Sequence, residues 1–251
     1  MDSEPFSLSG KTILITGASS GIGAACALQC AKAGASVILS GRNSERLNAV
    51  FSSLPENQAA HRAIPANLAK DEDIQRLLDA LPPIDGFVHC AGITKTLLLR
   101  FARWSDVEEQ FSINLFSAIK ITQGLLKKRG VNKGGSLVYL ASTNASVALP
   151  GNGVYSATKA GLAAFVRSVA VETAPRGIRA NTISPGLVET PMTDYITKGD
   201  PEALKKDKEK YLLGYGKPED IALAAQYFLS DASRWVTATN FVIDGGFLNN
   251  R

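Results

Sequence analysis

Short apolar runs alternate with longer amphipathic stretches along most of this chain. The runs, of which Ile13-Leu14-Ile15 is typical, are bounded by glycine, proline or polar residues and have the length of buried strands. The longer stretches repeat apolar residues every three or four positions, which is the period of a helix. Strands are predicted at 11–16, 36–40, 61–66, 84–90, 135–141, 178–184 and 239–243. Helices are predicted at 21–33, 43–53, 70–80, 104–128, 153–174 and 217–230.

The alternation of strands and helices predicts an α/β fold, with a parallel sheet covered by helices on both faces. Right-handed crossovers then give the doubly wound, Rossmann-type arrangement. No linker rich in proline, glycine or serine and no internal repeat divides residues 1–251, so we expect a single domain. In such a sheet ligands bind beyond the carboxyl ends of the strands, where the strand order reverses. Residues that directly follow the strands are therefore candidates for function.

The first of these positions is a glycine-rich turn from Thr16 to Gly23, with the sequence Thr-Gly-Ala-Ser-Ser-Gly-Ile-Gly. It joins the first predicted strand to an alanine-rich helix. Glycine here lets the backbone approach a pyrophosphate, whose charge lies at the positive end of the helix. A purely structural turn is the alternative, and the spacing Gly-x-x-x-Gly-x-Gly differs from the commoner Gly-x-Gly-x-x-Gly. The strand-turn-helix context favours dinucleotide binding.

Tyr155 and Lys159 lie four residues apart in a predicted helix, thirteen residues after Ser142. The spacing puts the phenol and the ammonium on one face, one turn apart. A tyrosine has a reference pKa of about 10, and a fixed cation nearby lowers that pKa towards the range for efficient proton transfer. On its own this pair would be an ordinary helix face. Together with Ser142 and the glycine turn it indicates acid–base catalysis.

With these residues the chain resembles the short-chain dehydrogenase/reductase family over nearly its whole length, and within it the 3-oxoacyl-[acyl-carrier-protein] reductases. The matching elements are Thr16 to Gly23, Asn114, Ser142, Tyr155, Lys159, Ser184-Pro185-Gly186 with Thr190, and Asp244-Gly245-Gly246. The resemblance implies seven strands in the order 3-2-1-4-5-6-7. It also implies an oxidoreductase that reduces a carbonyl to a secondary alcohol or runs the reverse, with a 3-oxoacyl thioester as one candidate substrate. The alternatives are a sugar, polyol or steroid dehydrogenase, and a dinucleotide-binding sensor without turnover.

The resemblance implies a catalytic role for each of four polar side chains. Tyr155 donates a proton to the carbonyl oxygen during reduction, and Lys159 lowers the tyrosine pKa and binds the nicotinamide ribose. Ser142 holds the carbonyl oxygen through its hydroxyl, which can donate or accept. Asn114 holds a water that links Lys159 to solvent. A non-catalytic sensor would commonly lack one or more of these residues, and the chemistry needs no metal.

The cofactor is expected to be NADP(H), bound by turns that follow several strands. The implied contacts are Gly17, Ser19, Ser20, Gly21, Ile22, Gly23, Arg42, Asn67, Leu68, Ala91, Gly92, Tyr155, Lys159, Pro185, Gly186, Val188 and Thr190. Gly41 stands where an NAD enzyme usually has an acid for the ribose hydroxyls, and Arg42 offers a 2′-phosphate a charged, forked contact. The alternative is that Arg42 starts a helix and points to solvent. Ser20 stands where many NADP-using relatives carry a second basic residue.

Three departures from the family pattern stand out. His89-Cys90 replaces the usual pair of asparagines after the fourth strand, so His89 is either a buried, hydrogen-bonded structural residue, which we favour, or an alternative catalytic group. Asn67 replaces an aspartate, and its amide oxygen can still accept from the adenine amino group. Ala238 replaces a glycine before the last strand, without a functional interpretation.

The resemblance also predicts an assembly and a partner. Helices 104–128 and 153–174 are expected to form the main interface of a homotetramer. Their apolar residues include Leu115, Phe116, Ile119, Leu162, Phe165 and Val169. Lys127-Lys128-Arg129 either complements the end of its helix or docks acyl carrier protein. Residues 191–213 form either a solvated helix or a segment that covers the substrate.

Composition narrows the cellular setting. The hydrophobic content of 45% supports a large core, and the net charge of +4, without a basic run interleaved with aromatics, does not argue for nucleic acid. No apolar stretch reaches the roughly 18 residues of a membrane span, and the acidic start, Met1 to Pro5, lacks the regions of a signal peptide. Three cysteines without a nearby metal partner suggest reduced thiols. We therefore expect a cytoplasmic protein that does not act at a membrane.

Overall fold

A computed structural model of the chain describes residues 4–55, 60–194 and 200–250. Its strands are β1 (Thr12–Thr16), β2 (Ser36–Gly41), β3 (Arg62–Pro65), β4 (Ile84–His89), β5 (Val131–Leu140), β6 (Arg179–Pro185) and β7 (Asn240–Ile243). Its α-helices are α1 (Gly21–Lys32), α2 (Ser44–Ser52), α3 (Asp71–Ala80), α4 (Trp104–Phe111), α5 (Ser117–Lys127), α6 (Gly153–Thr173), α7 (Pro201–Lys208) and α8 (Pro218–Leu229). Within the described ranges no helix is long and apolar enough to cross a membrane.

All neighbouring strands are parallel, in the order β3-β2-β1-β4-β5-β6-β7. The predicted seven-stranded, doubly wound α/β fold is therefore confirmed. Side chains leave a strand on alternate faces, so Ile13 and Ile15 pack under α1 and α8, while Leu14 packs under α3, α5 and α6. Both faces of the sheet are covered, which explains why the strands are continuous apolar runs. Cys26 and Cys30 lie buried in the first of these layers, as expected for small apolar side chains.

Two predicted elements differ from the structure. The helix predicted at 104–128 is divided by a π-helical turn, Ser112–Phe116, between α4 and α5. The strand predicted at 135–141 starts earlier, at Val131, because a register shift in its pairing with β4 accommodates the extra residues. The segment 191–213 contains α7, whereas its residues 195–199 lie outside the described ranges.

The expected interface helices keep most of their apolar side chains inside the subunit. Leu162 and Val169 are buried, and Leu115 and Phe165 pack against the same core. Phe116 is 46% exposed, and in the same predicted helices Trp104 and Val171 are more exposed. The apolar content of these helices is thus largely explained by the chain's own sheet, and it does not by itself indicate an interface.

Candidate active site

The turn between β1 and α1 is shaped so that only glycine fits at two of its positions. A Cβ atom at Gly17 would lie 2.7 Å from the backbone nitrogen of Ala91, and one at Gly23 would lie 2.2 Å from the Gly17 carbonyl oxygen. Gly17 also has a φ of +67°, in the region that favours glycine. Ser20 caps α1 without a side-chain bond to the helix. The first N–H groups of α1 are therefore open to an anion at the turn.

A cleft of about 380 Å³ lies along the carboxyl ends of β1, β2, β3 and β4, in front of this turn. Many of the expected cofactor contacts line it, namely Gly17, Ser19, Ser20, Gly21, Ile22, Gly23, Arg42, Asn67, Leu68, Ala91, Gly92 and Thr190. Thr190 closes over the turn, since its Cγ2 lies 3.2 Å from a Cβ built at Gly21. The cleft has the place and the walls that a dinucleotide needs in this fold.

Other expected contacts lie outside the walls of the cleft. Pro185 ends β6, and the Gly186 amide donates to the Ile243 carbonyl. Val188 is buried in the core and forms a bridge with Gly216. These residues lie at the carboxyl end of β6, on the same edge of the sheet as the cleft, but they do not line the cleft in this structure.

Arg46 is a cleft residue that the sequence analysis missed. It lies in the first turn of α2, four residues after Arg42, and both arginines line the cleft. The Asn43 side chain caps α2 by accepting from the Arg46 amide at 2.8 Å. Arg42 precedes the N-cap Asn43 and lies outside α2, so helical spacing in the sequence does not pair it with Arg46.

Lys159 lies in α6 with its ammonium group buried beside the cleft. Its Nζ donates to the Leu140 carbonyl oxygen at 2.6 Å and lies 5.8 Å from the centre of the Tyr155 ring. A Cβ at Gly92, on the cleft wall, would lie 3.4 Å from the same nitrogen. Burial lowers the pKa of Lys159 to about 8. The cation thus lies between the end of the cleft and the tyrosine.

Asn114 lies in the π-helical turn and is fully buried. Its Oδ1 accepts from the Ile93 amide at 2.8 Å, and its Nδ2 donates to the Ile93 carbonyl at 2.9 Å and to Thr158 Oγ1 at 3.1 Å. Thr158 Oγ1 in turn donates to the Tyr155 carbonyl at 2.7 Å. Asn114 therefore links the chain after β4 to the first turn of the helix that carries Tyr155 and Lys159.

Ser142 lies beyond the carboxyl end of β5, in extended backbone at the start of a 3₁₀ turn. Its Oγ accepts from the Asn144 amide at 3.2 Å, which fixes the side chain and leaves the hydroxyl proton available as a donor. The predicted catalytic residues therefore come from three elements that meet at one edge of the sheet.

His89 has the environment of a structural residue. Its ring is fully buried at the end of β4, with Thr16 Oγ1 2.9 Å from Nδ1. Burial, together with the charge of Lys159, lowers the pKa of His89 to about 3, so the ring is neutral. A buried neutral ring is not open to a substrate, which supports the structural interpretation over the catalytic one.

Known proteins are similar to this chain in sequence and in architecture. A family model described as enoyl-(acyl carrier protein) reductase matches residues 17–248. The 3-oxoacyl-[acyl-carrier-protein] reductase FabG of Rickettsia bellii is 36% identical over 96% of this chain and 98% of its own, and that of Aquifex aeolicus is 34% identical over 95% and 98%. The crystal structure of a dehydrogenase/reductase from Sinorhizobium meliloti aligns with a TM-score of 0.88 at 33% identity, covering 97% of both chains. A short-chain type dehydrogenase/reductase from Mycobacterium ulcerans aligns with a TM-score of 0.89 at 30% identity, covering 96% of this chain and 91% of the other.

Fold, cleft and similarity together define the class of protein as a nicotinamide-dependent oxidoreductase that acts on CH–OH or C=O groups. More particularly, the chain belongs to the short-chain dehydrogenase/reductase family. The expected family and reaction class are therefore confirmed.

Proposed function

We propose that this protein is an NADP(H)-dependent reductase of 3-oxoacyl thioesters. The observation that carries the proposal is the convergence of Tyr155, buried Lys159 and buried Asn114 at the end of a dinucleotide-shaped cleft. The thioester substrate is supported by the relatives that are named 3-oxoacyl-[acyl-carrier-protein] reductases and match almost end to end.

Four side chains would handle the proton and the carbonyl oxygen. A nicotinamide cofactor, when bound, would supply the hydride for the carbonyl carbon. Tyr155 O–H donates its proton to the carbonyl oxygen as negative charge develops there. Ser142 O–H donates to the same oxygen and holds it against the tyrosine. Lys159, still largely protonated at neutral pH, stabilises the phenolate that Tyr155 becomes, and Asn114 holds the water through which the proton is replaced.

The choice of NADP(H) rests on the charge at the adenosine end of the cleft. Arg42 and Arg46 present two exposed guanidinium groups there, and both can make charged, forked bonds to a phosphate. Gly41 has no acidic side chain that would repel a phosphate. A Cβ at Gly41 would lie 3.3 Å from the Ser19 side chain, so there is little room for a side chain at this position. Asn67 Oδ1 accepts from the Ala69 amide at 3.1 Å and retains a second lone pair for the adenine amino group.

One set of assays tests both parts of the proposal. NADPH and NADH oxidation should be followed with ketones, sugars, free 3-oxoacyl thioesters and carrier-bound thioesters. We expect the highest kcat/KM for NADPH with a 3-oxoacyl thioester. Arg42→Ala and Arg46→Ala should each raise the KM for NADPH by about 10-fold, the value of one charged hydrogen bond, and leave the KM for NADH unchanged. Arg62→Ala, an exposed arginine of β3 away from the cleft, is the matched control. Preference for NADH, or for sugars over thioesters, would contradict the proposal.

Docking of acyl carrier protein at Lys127-Lys128-Arg129 is constrained by geometry. All three residues are exposed, and Lys128 forms an ion pair with Asp79. The patch precedes β5, whereas Ser142 follows it, so the two lie at opposite ends of this strand. Because the patch and Ser142 lie at opposite ends of β5, we propose that the patch guides a carrier to the site of a neighbouring subunit. Neutralising all three residues should raise the KM for a carrier-bound substrate and spare a free thioester, whereas equal effects would reject docking.

We further propose a homotetramer located in the cytoplasm. The three free cysteines are compatible with a reducing compartment. Exposed apolar side chains such as Trp104, Phe116 and Val171 support subunit contacts on the side of α4, α5 and α6.

A further inference from the structure

His89 bridges two hydroxyl groups inside the molecule. Thr16 Oγ1 lies 2.9 Å from its Nδ1, and Ser117 Oγ lies 3.4 Å from its Nε2. Ser117 Oγ also donates to the Ile113 carbonyl at 2.7 Å, which uses its only proton. The Ser117 oxygen therefore accepts from Nε2–H, and the unprotonated Nδ1 accepts from the Thr16 hydroxyl.

The Ser117 end of this bridge supports the π-helical turn. In an α-helix the Ser117 amide would bond to the Ile113 carbonyl, four residues earlier. Here the amide donates to the Ser112 carbonyl, five residues earlier. The Ser117 hydroxyl donates to the Ile113 carbonyl in its place. The same turn presents Asn114 to Ile93 and Thr158. Whatever fixes Ser117 thus fixes the turn that carries Asn114.

We propose that His89 is a positioning residue for Asn114, tying the end of β1 to the π-helical turn through Thr16 and Ser117. The inference rests on the proposed role of Asn114 in proton transfer. It also explains why a histidine, His89, stands where the family usually has an asparagine. An asparagine at this position places its amide where Nδ1 lies and is too short to reach Ser117, whereas a glutamine places its amide near Nε2.

The difference in reach between these two amides provides the test. We expect His89→Asn and Ser117→Ala each to lower kcat by about 10- to 100-fold, the cost of a misplaced reacting group, and His89→Gln to restore most of it. The KM for the cofactor should change by less than about twofold, since binding in the cleft is not altered. Tyr139→Phe is the matched control. It removes the neighbouring buried bond between Tyr139 and Thr122, at 2.7 Å, and should lower Tm without changing kcat.

A double-mutant cycle separates this inference from the function on which it rests. In an Asn114→Ala background, His89→Asn should cause no further loss of kcat, because no relay remains to be positioned. If the two losses multiply, or if Tyr139→Phe lowers kcat as much as His89→Asn, then His89 acts only on stability and the inference is wrong. If Asn114→Ala leaves kcat unchanged, the proposed role of Asn114 falls and the inference falls with it.

Discussion

Lys159 is a buried charge that opposes stability at a position where we propose a catalytic role. The residue is 4% exposed, and its ammonium donates to the Leu140 carbonyl oxygen. The pKa of Lys159 falls to about 8 in the folded chain because burial disfavours the charge. Between about pH 8 and 10.4, the unfolded chain therefore binds a proton that the folded chain lacks. The free energy of unfolding should rise with pH across this window.

Lys159→Met should make the protein more stable and less active. It removes the buried charge, so at pH 7 the free energy of unfolding should increase by roughly 1 to 3 kcal/mol, while kcat and cofactor affinity fall. Urea denaturation at several pH values would measure the change. Lys120→Met, on the exposed lysine that pairs with Asp71, is the control and should change little. If the variant is less stable at pH 7, and its free energy of unfolding still rises above pH 8, then the buried charge of Lys159 does not destabilise the fold.

At the residue scale, the proposed catalytic residues were easier to predict from the sequence than the residues that line the cleft. Tyr155 and Lys159 were predictable because helical spacing puts them on one face. Arg46 was not recognised, because its place beside the cleft depends on how α2 packs through its buried neighbour Leu47. Val188 is buried and forms a bridge with Gly216, and its expected contact with the cofactor stays a prediction.

Among the elements, the division of the helix predicted at 104–128 could not be read from the sequence. No glycine or proline lies within Ser112–Phe116, and the apolar period continues through it. The turn depends on tertiary partners of Asn114 and Ser117 that are distant in sequence. By contrast, the strands and most helices were predictable within a few residues, because sheet burial on both faces gives a strong pattern. π-helical turns commonly mark functional positions, and Asn114 lies in this one.

The segment after β4, which leads from Gly92 to α4, is held by ion pairs to Asp106, which we call the Asp106 clamp. Asp106 is buried and accepts from Lys95 Nζ at 2.7 Å and from Arg103 Nε at 3.0 Å. These bonds, that of Arg103 foremost, hold the pKa of Asp106 well below its usual range. The Leu97 amide donates to the Gly151 carbonyl at 2.9 Å and joins the segment to the loop before Tyr155. These bonds therefore fix the segment that leads to the proposed catalytic residues.

Asp106→Asn should loosen this segment and lower kcat/KM by about 10-fold. Hydrogen exchange of residues 93–103 should become faster, while that of β1 and β4 is unchanged. Since the folded pKa is depressed, the carboxylate stabilises the fold above about pH 4 and loses this effect as the pH falls further. The wild type should therefore lose more stability than the variant on acidification. Asp231→Asn, which breaks the exposed pair with Lys11, is the control. Unchanged exchange at 93–103 would contradict the role of the clamp.

For the whole molecule, the surface is more informative than the apolar content of the helices. Most apolar side chains of α5 and α6 are used inside the subunit, but Trp104 is 72% and Val171 is 73% exposed. Single exposed apolar side chains are common on protein surfaces, whereas a contiguous apolar patch marks a contact surface. Sequence patterns predict that a helix has an apolar face. They do not show whether the chain's own sheet or a second subunit covers that face. The tetramer therefore remains a prediction that only a solution measurement can test.

Light scattering at micromolar concentration should return four times the chain mass of 26.6 kDa. Val171→Glu should shift the protein to smaller species, because it places a charge on the proposed contact. Lys205→Glu, on the exposed α7, should not. A wild-type particle of one chain mass would rule out the tetramer and, with it, carrier docking across subunits.

The central claim is that Tyr155 donates the proton to the carbonyl oxygen in a cofactor-loaded cleft. Its most direct test is the kcat of Tyr155→Phe with NADPH and the best thioester substrate, measured beside the Kd for NADPH. The substitution keeps the ring and removes the hydroxyl, so kcat should fall by roughly 10²- to 10⁴-fold while the Kd is unchanged. If Tyr155→Phe retains most of the wild-type kcat, the assignment of the proton donor is wrong.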